Sequence, residues 1–116
     1  MRDELVASWV SRRGVPYIMV DGEVDISTAP LLDAVLCEAR TNDPFSLIVS
    51  LEKCMYCDSK GLSVLLRHAR ETPQFIVVSV NGTQVRGLLR ASGVDAMFEV
   101  VDSSDDALAL CPPAST

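Results

Sequence analysis

The sequence predicts an α/β fold: one domain with a mostly parallel mixed sheet, an N-terminal antiparallel hairpin and about four helices. Short apolar segments alternate with longer segments whose apolar residues recur every three or four positions, in the order β-β-α-β-α-β-α-β-α. The first two strand segments are separated only by a short turn at Arg13-Gly14, which predicts a hairpin. The length of 116 residues is that of a single domain with its own core.

The hairpin and the first helix come first. Residues 4–11 predict a moderately alternating strand, and residues 16–21 predict an apolar one. Ser27-Thr28-Ala29-Pro30 is typical of a helix start, because a hydroxyl can cap free backbone amides and Pro is tolerated in the first turn. Asn42-Asp43-Pro44 ends this helix, whose apolar face consists of Leu32, Val35, Leu36 and Ala39.

The central segments form the next strand, helix and strand. Residues 46–51 predict a buried strand, and an irregular stretch follows to Asp58. A helix then runs from Gly61 and ends before Thr72-Pro73; its apolar face consists of Leu62, Leu65, Leu66 and Ala69. Residues 75–80 predict another short strand.

The last segments repeat the pattern. A third helix is predicted to start at Asn81-Gly82-Thr83, with Gly93 at its C-terminal cap; Val85, Leu88 and Leu89 face inward. Residues 97–101 predict the last strand, and the acidic segment 103–106 opens a final helix. We expect one domain over residues 1–111 and a flexible tail over residues 112–116.

Composition limits the function. The net charge of −6 argues against nucleic acid as a direct partner, because phosphate binding needs clustered Lys and Arg. The apolar runs are far shorter than the ~20 residues that cross a bilayer, and residues 1–4 do not lead into a signal-peptide core. We therefore expect a cytoplasmic protein without a membrane partner.

The sequence contains no recognisable catalytic motif. The chain has one histidine, His68, which we assign to a polar helix face. It has no Gly-rich phosphate loop, no nucleophile elbow and no paired His–Cys arrangement. We expect neither catalytic residues nor a cofactor, and no metal site.

Two loops fall at the carboxyl ends of the predicted parallel strands, where functional groups collect in such sheets. One of them, residues 52–60, includes Cys57-Asp58-Ser59-Lys60 and leads directly into a helix. One hypothesis makes Asp58 or Ser59 a simple helix cap. The other makes Ser59 a phosphate acceptor, because a helix N-terminus favours an anion. The two hypotheses are compatible.

The other loop, residues 21–28, contains Asp25. Its carboxylate is expected to reach the neighbouring loop across adjacent strand ends, where it would orient a hydroxyl or a metal-nucleotide that belongs to a partner. The alternative is an ordinary acidic residue of a surface turn.

Three segments together resemble the STAS domain family. Residues 22–30, Gly-Glu-Val-Asp-Ile-Ser-Thr-Ala-Pro, are similar to the Gly-Glu-Leu-Asp-x-x-Thr-Ala segment of that family. Residues 57–62 resemble its Leu-Asp-Ser-Ser-Gly-Leu segment, and residues 85–94 its late helix and Gly-Leu turn. The segments occur in the family's order, and the resemblance spans residues 5–110.

The resemblance implies an anti-sigma factor antagonist that works as a binding switch. In that branch an anti-sigma factor with serine kinase activity phosphorylates the first Ser after the Asp, which is Ser59 here. The unphosphorylated antagonist holds the anti-sigma factor and frees the sigma factor, and a PP2C-type phosphatase resets the switch. The resemblance places the partner contacts at Asp25, Thr28, Asp58, Ser59, Lys60 and Gly61.

One position departs from the family pattern. Lys60 stands where the family often has a second Ser. We expect this cation either to neutralise part of a phosphate on Ser59 or to contact the partner.

Cys54 and Cys57 support an alternative function. This alternative is a non-phosphorylated interaction module of the same fold in a regulatory complex, either redox-gated or a scaffold. The Cys-x-x-Cys spacing lies just before Ser59, and a redox pair there would gate such a module. Redox motifs of this kind normally open a helix, whereas this one ends a strand segment. The simpler hypothesis treats both thiols as small core residues.

Overall fold

A computed structural model describes residues 5–112 of the chain. Within this range the elements follow the predicted order; their bounds are β1 (Val6–Arg12), β2 (Val15–Val24), α1 (Ala29–Ala39), β3 (Ser46–Cys57), α2 (Ser59–Arg70), β4 (Gln74–Val78), α3 (Gln84–Ala91), β5 (Glu99–Val101) and α4 (Ser104–Leu110). Most of the predicted tail, residues 113–116, lies outside the described residues.

The strands form one mixed sheet in the order β1-β2-β3-β4-β5. β1 pairs antiparallel with β2, and the other neighbours pair in parallel. The hairpin turn has φ of 54° at Arg13 and 79° at Gly14, and two successive positive φ values are typical of the tightest hairpin turns. The predicted fold class is confirmed, with β3 as the central strand.

Helices cover both faces of the sheet. α1, α2 and α3 pack on one face, where Ile18, Val49 and Val77 lie in the larger core. α4 packs on the other face, where Ala107 meets Ile48 and Ile76. Neighbouring positions of β3 and β4 therefore point into different cores, as the alternation of a strand requires.

The predicted irregular stretch after residue 51 is wrong, because β3 continues to Cys57. It keeps its pairing with β2 as far as Val24 opposite Cys57, with register shifts on the way. β4 has already ended at Val78, so this part of β3 has a strand neighbour on one side only. Several of its side chains are consequently exposed, and the apolar pattern of a buried strand is lost.

The last strand is shorter than predicted. A 3-10 helix occupies Val94–Ala96, and β5 begins only at Glu99. Between them Phe98 is buried, with its ring centroid 5.5 Å from that of Phe75. The amides of Met97 and Phe98 both donate to the carbonyl of Val94, so this segment continues the turn of the 3-10 helix and does not pair with β4.

The helix starts also differ in detail. α2 begins at Ser59, two residues before the predicted Gly61. α3 begins at Gln84, and the preceding Thr83 is its cap. Gly93, predicted at the C-terminal cap of α3, directly follows the cap residue Ser92 and has the left-handed conformation typical of that position, with φ of 67°. No helix within residues 5–112 has the length and apolar character needed to cross a bilayer.

Candidate functional site

The N-terminus of α2 carries the predicted phosphate acceptor. Oδ1 of Asp58 accepts hydrogen bonds from the backbone amides of Lys60, at 2.9 Å, and Gly61, at 3.1 Å. Asp58 is therefore the cap, and Ser59 is the first residue of the helix, with an exposed side chain. Because Asp58 satisfies the free amides, the hydroxyl of Ser59 is not needed as a cap.

The loop between β2 and α1 is organised around Asp25. Its Oδ1 accepts from the amides of Ser27, at 2.9 Å, and Thr28, at 3.1 Å, and from the Ser27 hydroxyl at 2.7 Å. The Ser27 hydroxyl bond is the main reason why the pKa of Asp25 lies below its usual value, with the amide bonds adding to it. The predicted hydroxyl cap of α1 is wrong, because Thr28 makes no side-chain cap bond. The first amide of the helix, that of Ala29, donates to the backbone carbonyl of Asp25 at 2.7 Å.

The hydroxyl of Thr28 holds the same loop together. It donates to the carbonyl of Glu23 at 2.8 Å and accepts from the amide of Asp25 at 2.9 Å. Its polar atoms are thus used inside the loop, and this side chain shapes the surface that Asp25 and Ser27 present.

Backbone contacts join the two loops. The amide of Asp58 donates to the carbonyl of Val24 at 3.1 Å, immediately before Asp25. The carboxylate of Asp25 makes its hydrogen bonds with Ser27 and Thr28 of its own loop. The predicted proximity of the loops is confirmed, but the bridging contact is made by the backbone and not by the Asp25 side chain.

Gly61 lets α2 approach the sheet closely. A Cβ atom at this position would lie 2.5 Å from Cγ1 of Val24 and 2.8 Å from Sγ of Cys57. Gly61 is buried, so the structure gives it a packing role at the base of the site.

Gln84 is a site residue that the sequence did not reveal. Its side-chain amide bonds to both polar groups of the Cys57 backbone: Oε1 accepts from the amide at 3.0 Å, and Nε2 donates to the carbonyl at 2.9 Å. The two residues are 27 positions apart, and their contact depends on the packing of α3 against the end of β3.

Exposed apolar side chains lie in the β2–α1 loop, in the first turn of α1 and near the end of β3. Ile26 is 71% exposed and Met55 is 74% exposed, and Leu31 and Tyr56 are also open to solvent. Register places Tyr56 opposite Glu23, so Met55 and Tyr56 border the loop that contains Ile26. Clustered apolar side chains on a surface are typical of a protein-binding site.

Cys54 and Cys57 are free and buried, as the core-residue hypothesis predicts. Burial raises the pKa of both thiols, and that of Cys57 to about 12, with smaller contributions from Cys54 and Asp58. A thiol must lose its proton to react, so this environment works against the redox-gated alternative.

One cluster has the residue types of a metal site. The ligand atoms of Asp33, Cys37 and His68 lie within 4.8 Å of one another. However, Arg40 Nη1 is 2.9 Å from Nδ1 of His68, and a guanidinium can only donate. The ring proton therefore sits on Nε2, which donates to Asp33 at 2.6 Å and is not available to a metal.

The same cluster corrects the sequence interpretation of His68. This residue is only 2% exposed and does not lie on a polar face. Asp33 of α1 and Arg40, which directly follows α1, satisfy both nitrogens of its ring, so the burial costs no unpaired polar group.

Comparison with known proteins agrees with this architecture. The chain is 25% identical over 108 residues to the anti-sigma-F factor antagonist RsfB of Mycobacterium tuberculosis, covering 91% of this chain and 88% of that protein. The crystal structure of an anti-sigma factor antagonist from Mycobacterium paratuberculosis superposes with a TM-score of 0.87 at 26% identity, covering 94% of this chain and 95% of that one.

A more distant structure shares the fold alone. It is the Bacillus cell fate determinant SpoIIAA in its phosphorylated form, with a TM-score of 0.62 at 18% identity, covering 91% of this chain and 97% of that one. The STAS domain model itself matches residues 8–107, which include both loops and every element from β2 to α3. The chain therefore belongs to the STAS domain family.

Proposed function

We propose that the chain is an anti-sigma factor antagonist that is switched off by phosphorylation of Ser59. It acts by binding and not as an enzyme: the unphosphorylated form holds an anti-sigma factor with serine kinase activity and so frees a sigma factor. The observation that carries the proposal is the exposed Ser59 at the first position of α2, next to the cap that Asp58 supplies.

The N-terminus of α2 suits a phosphate. The helix has 12 residues, and its backbone dipole favours an anion at this end. Its first turn contains no acidic side chain, and the exposed Lys60 offers a cation next to the acceptor. The helix dipole and Lys60 therefore favour a phosphate on Ser59, and they oppose the repulsion from the Asp58 carboxylate that caps the same helix.

The same phosphate would disturb a bound partner. It adds about −1.5 to −2 charges at one point of the surface. Asp25 and Asp58 already make this surface acidic, so a partner that fits the unphosphorylated site meets a strongly increased negative charge. Like-charge repulsion and the cost of desolvating the phosphate then favour release.

The surroundings of Ser59 provide the partner surface. We assign direct contacts to Asp25, Asp58, Ser59 and Lys60. Thr28 and Gly61 shape the surface from within, because the Thr28 hydroxyl is bonded inside its loop and Gly61 is buried. The exposed Ile26, Leu31, Met55 and Tyr56 supply the apolar area that a protein interface needs.

The name of the relative RsfB indicates the class of partner, an anti-sigma factor. We extend this to a kinase-type anti-sigma factor because the acceptor segment of residues 57–62 resembles that of the phosphorylated branch of the family. A PP2C-type phosphatase would reset the switch, and the setting is the cytoplasm.

Phosphotransfer tests the proposal. The purified chain is incubated with ATP, Mg²⁺ and, in turn, each kinase-type anti-sigma factor encoded in the same genome, and its intact mass is measured. We expect one of these kinases to add a single phosphate to the wild type and none to Ser59→Ala.

Ser63→Ala is the matched control, because Ser63 lies one turn later in α2 and its hydroxyl donates to the carbonyl of Ser59 at 2.9 Å. We expect this variant to be phosphorylated like the wild type. Absence of transfer with every kinase, or transfer that persists in Ser59→Ala, contradicts the proposal.

A further inference from the structure

The end of β3 extends beyond its neighbour on one side. Pairing between β3 and β4 stops where Ser50 lies opposite Val78, yet β3 continues to Cys57. In a parallel pair, successive residues direct their backbone polar groups to alternate sides. The amide of Asp58 points toward β2, so the polar groups of Cys57 point to the side that β4 has left.

Gln84 takes the place of the missing strand. Its Oε1 accepts from the Cys57 amide at 3.0 Å and its Nε2 donates to the Cys57 carbonyl at 2.9 Å, the two bonds that a neighbouring strand would make. A backbone amide can only donate and a carbonyl can only accept, so these bonds fix which end of the side chain faces which group. A carboxylate at this position would lack the donor.

Hydrogen bonds also fix the backbone around Gln84, at the start of α3. Gln84 is the first residue of α3, and the Thr83 hydroxyl caps this helix by accepting from the amide of Arg86. The Arg86 side chain donates to the carbonyl of Ser79 and to Oδ1 of Asp102 at 2.9 Å. The start of α3 is thereby tied to the ends of β4 and β5.

Gln84 therefore binds the peptide group between Cys57 and Asp58, directly before the cap of α2. The carbonyl of Cys57 and the amide of Asp58 belong to one peptide group; Gln84 binds the carbonyl, and the carbonyl of Val24 binds the amide at 3.1 Å. This peptide sets the direction of Asp58, whose carboxylate in turn holds the first turn of α2.

We propose that Gln84 is a positioning residue for the phosphate acceptor: by holding the Cys57–Asp58 peptide from the α3 side, it fixes the place of Ser59 at the start of α2. The consequence for phosphotransfer rests on the proposed function. The effect of Gln84 on the backbone at Cys57 and Asp58 does not rest on the proposed function, and it can be measured in the chain without a partner.

Amide hydrogen exchange tests the backbone part. Protection factors are compared by NMR in the wild type, Gln84→Ala, Gln84→Glu and the control Gln74→Ala. Gln74 is a matched control because its side chain also bonds to a backbone carbonyl, that of Leu110 at 2.8 Å, and because it lies at the opposite end of the sheet.

We expect the Cys57 amide to exchange roughly tenfold faster in Gln84→Ala, since it loses its acceptor. Gln84→Glu keeps the size of the side chain and the acceptor, so the Cys57 amide should stay protected. The carboxylate cannot donate to the Cys57 carbonyl, so the peptide group that includes the Asp58 amide is held less firmly and this amide should exchange faster. Gln74→Ala should leave both amides unchanged. Unchanged protection of Cys57 in Gln84→Ala overturns the proposal.

Phosphotransfer tests the positioning part, with the kinase that modifies the wild type. We expect kcat to fall roughly tenfold in Gln84→Ala and in Gln84→Glu, with KM for the antagonist within about twofold of the wild type, because the exposed contact residues remain. Faster exchange at Cys57 with an unchanged kcat overturns the positioning role but leaves Ser59 as the acceptor.

The two proposals fail separately. If no kinase modifies the wild type, the proposed function fails, and the exchange data still decide whether Gln84 holds the peptide before Asp58.

Discussion

Gly61 packs so closely against Val24 that a Cβ atom on the glycine would lie 2.5 Å from Cγ1 of the valine. Val24 is the last residue of β2, and its carbonyl accepts from the amide of Asp58. One residue thus contacts α2 through its side chain and the end of β3 through its backbone. The position of Ser59 relative to the sheet depends on this contact.

The first prediction concerns Gly61→Ala. The added methyl group would overlap with Val24 and Cys57, and overpacking of this kind costs about 1–3 kcal/mol of the free energy of unfolding. Urea unfolding measures the loss. Gly87→Ala is the control, because nothing lies within 4 Å of a Cβ atom there; it should stabilise the chain by about 0.5–1 kcal/mol, since Ala favours a helix over Gly. Equal effects of the two variants would contradict the packing role of Gly61.

The second prediction concerns the cap of α2. Asp58→Ala removes the acceptor for the amides of Lys60 and Gly61 and should cost about 0.5–2 kcal/mol of the free energy of unfolding. Asp58→Asn keeps an acceptor oxygen and should recover most of this loss. Urea unfolding of both variants separates the two contributions. An Asn variant as unstable as the Ala variant would show that the charge, and not the hydrogen bonds, matters here.

The third prediction concerns acid. The pKa of Asp25 lies below its ordinary value of 3.8, chiefly because of the Ser27 hydroxyl. The ionised form therefore stabilises the fold above pH 3.8, and this contribution is lost as the pH falls through the lower pKa of the folded state. In Ser27→Ala we expect the Asp25 carboxyl, followed by NMR, to titrate closer to 3.8 than in the wild type. Ser63→Ala should leave its titration unchanged, and an equal midpoint in Ser27→Ala would contradict the assignment.

Local sequence signals predicted the order of the elements and the position of Ser59. The turn at Arg13-Gly14 and the left-handed Gly93 depend on backbone preferences of a few adjacent residues, and both were confirmed. The proximity of the two loops followed from the rule that parallel strands end at one edge. Asp58 and Ser59 were both acceptable caps by type, and only the geometry of the first turn distinguishes them.

The remaining features depend on contacts between distant parts of the chain. β3 was predicted too short because its end has a strand neighbour on one side only, so that its side chains lose the apolar pattern. Gln84 has no local signal, since its partner Cys57 lies 27 positions away. His68 has the local pattern of a surface residue, because the two residues that satisfy its ring, Asp33 of α1 and Arg40 directly after it, are distant in sequence.

The last prediction concerns thiol reactivity, which separates the phosphorylation switch from the redox-gated alternative. Cys37 is exposed, whereas Cys54 and Cys57 are buried, and burial raises the pKa of Cys57 to about 12. At pH 8 a pKa of that size leaves on the order of one Cys57 in ten thousand as thiolate.

We therefore expect an aromatic disulfide reagent to modify Cys37 rapidly in the folded chain, and Cys54 and Cys57 only after denaturant is added. Cys37→Ser assigns the fast reaction, and mass spectrometry after digestion locates the slow ones. Rapid formation of a Cys54–Cys57 disulfide in the folded chain under mild oxidation, with a change in partner binding, would instead support redox gating, because a structural pair of core thiols stays reduced under these conditions.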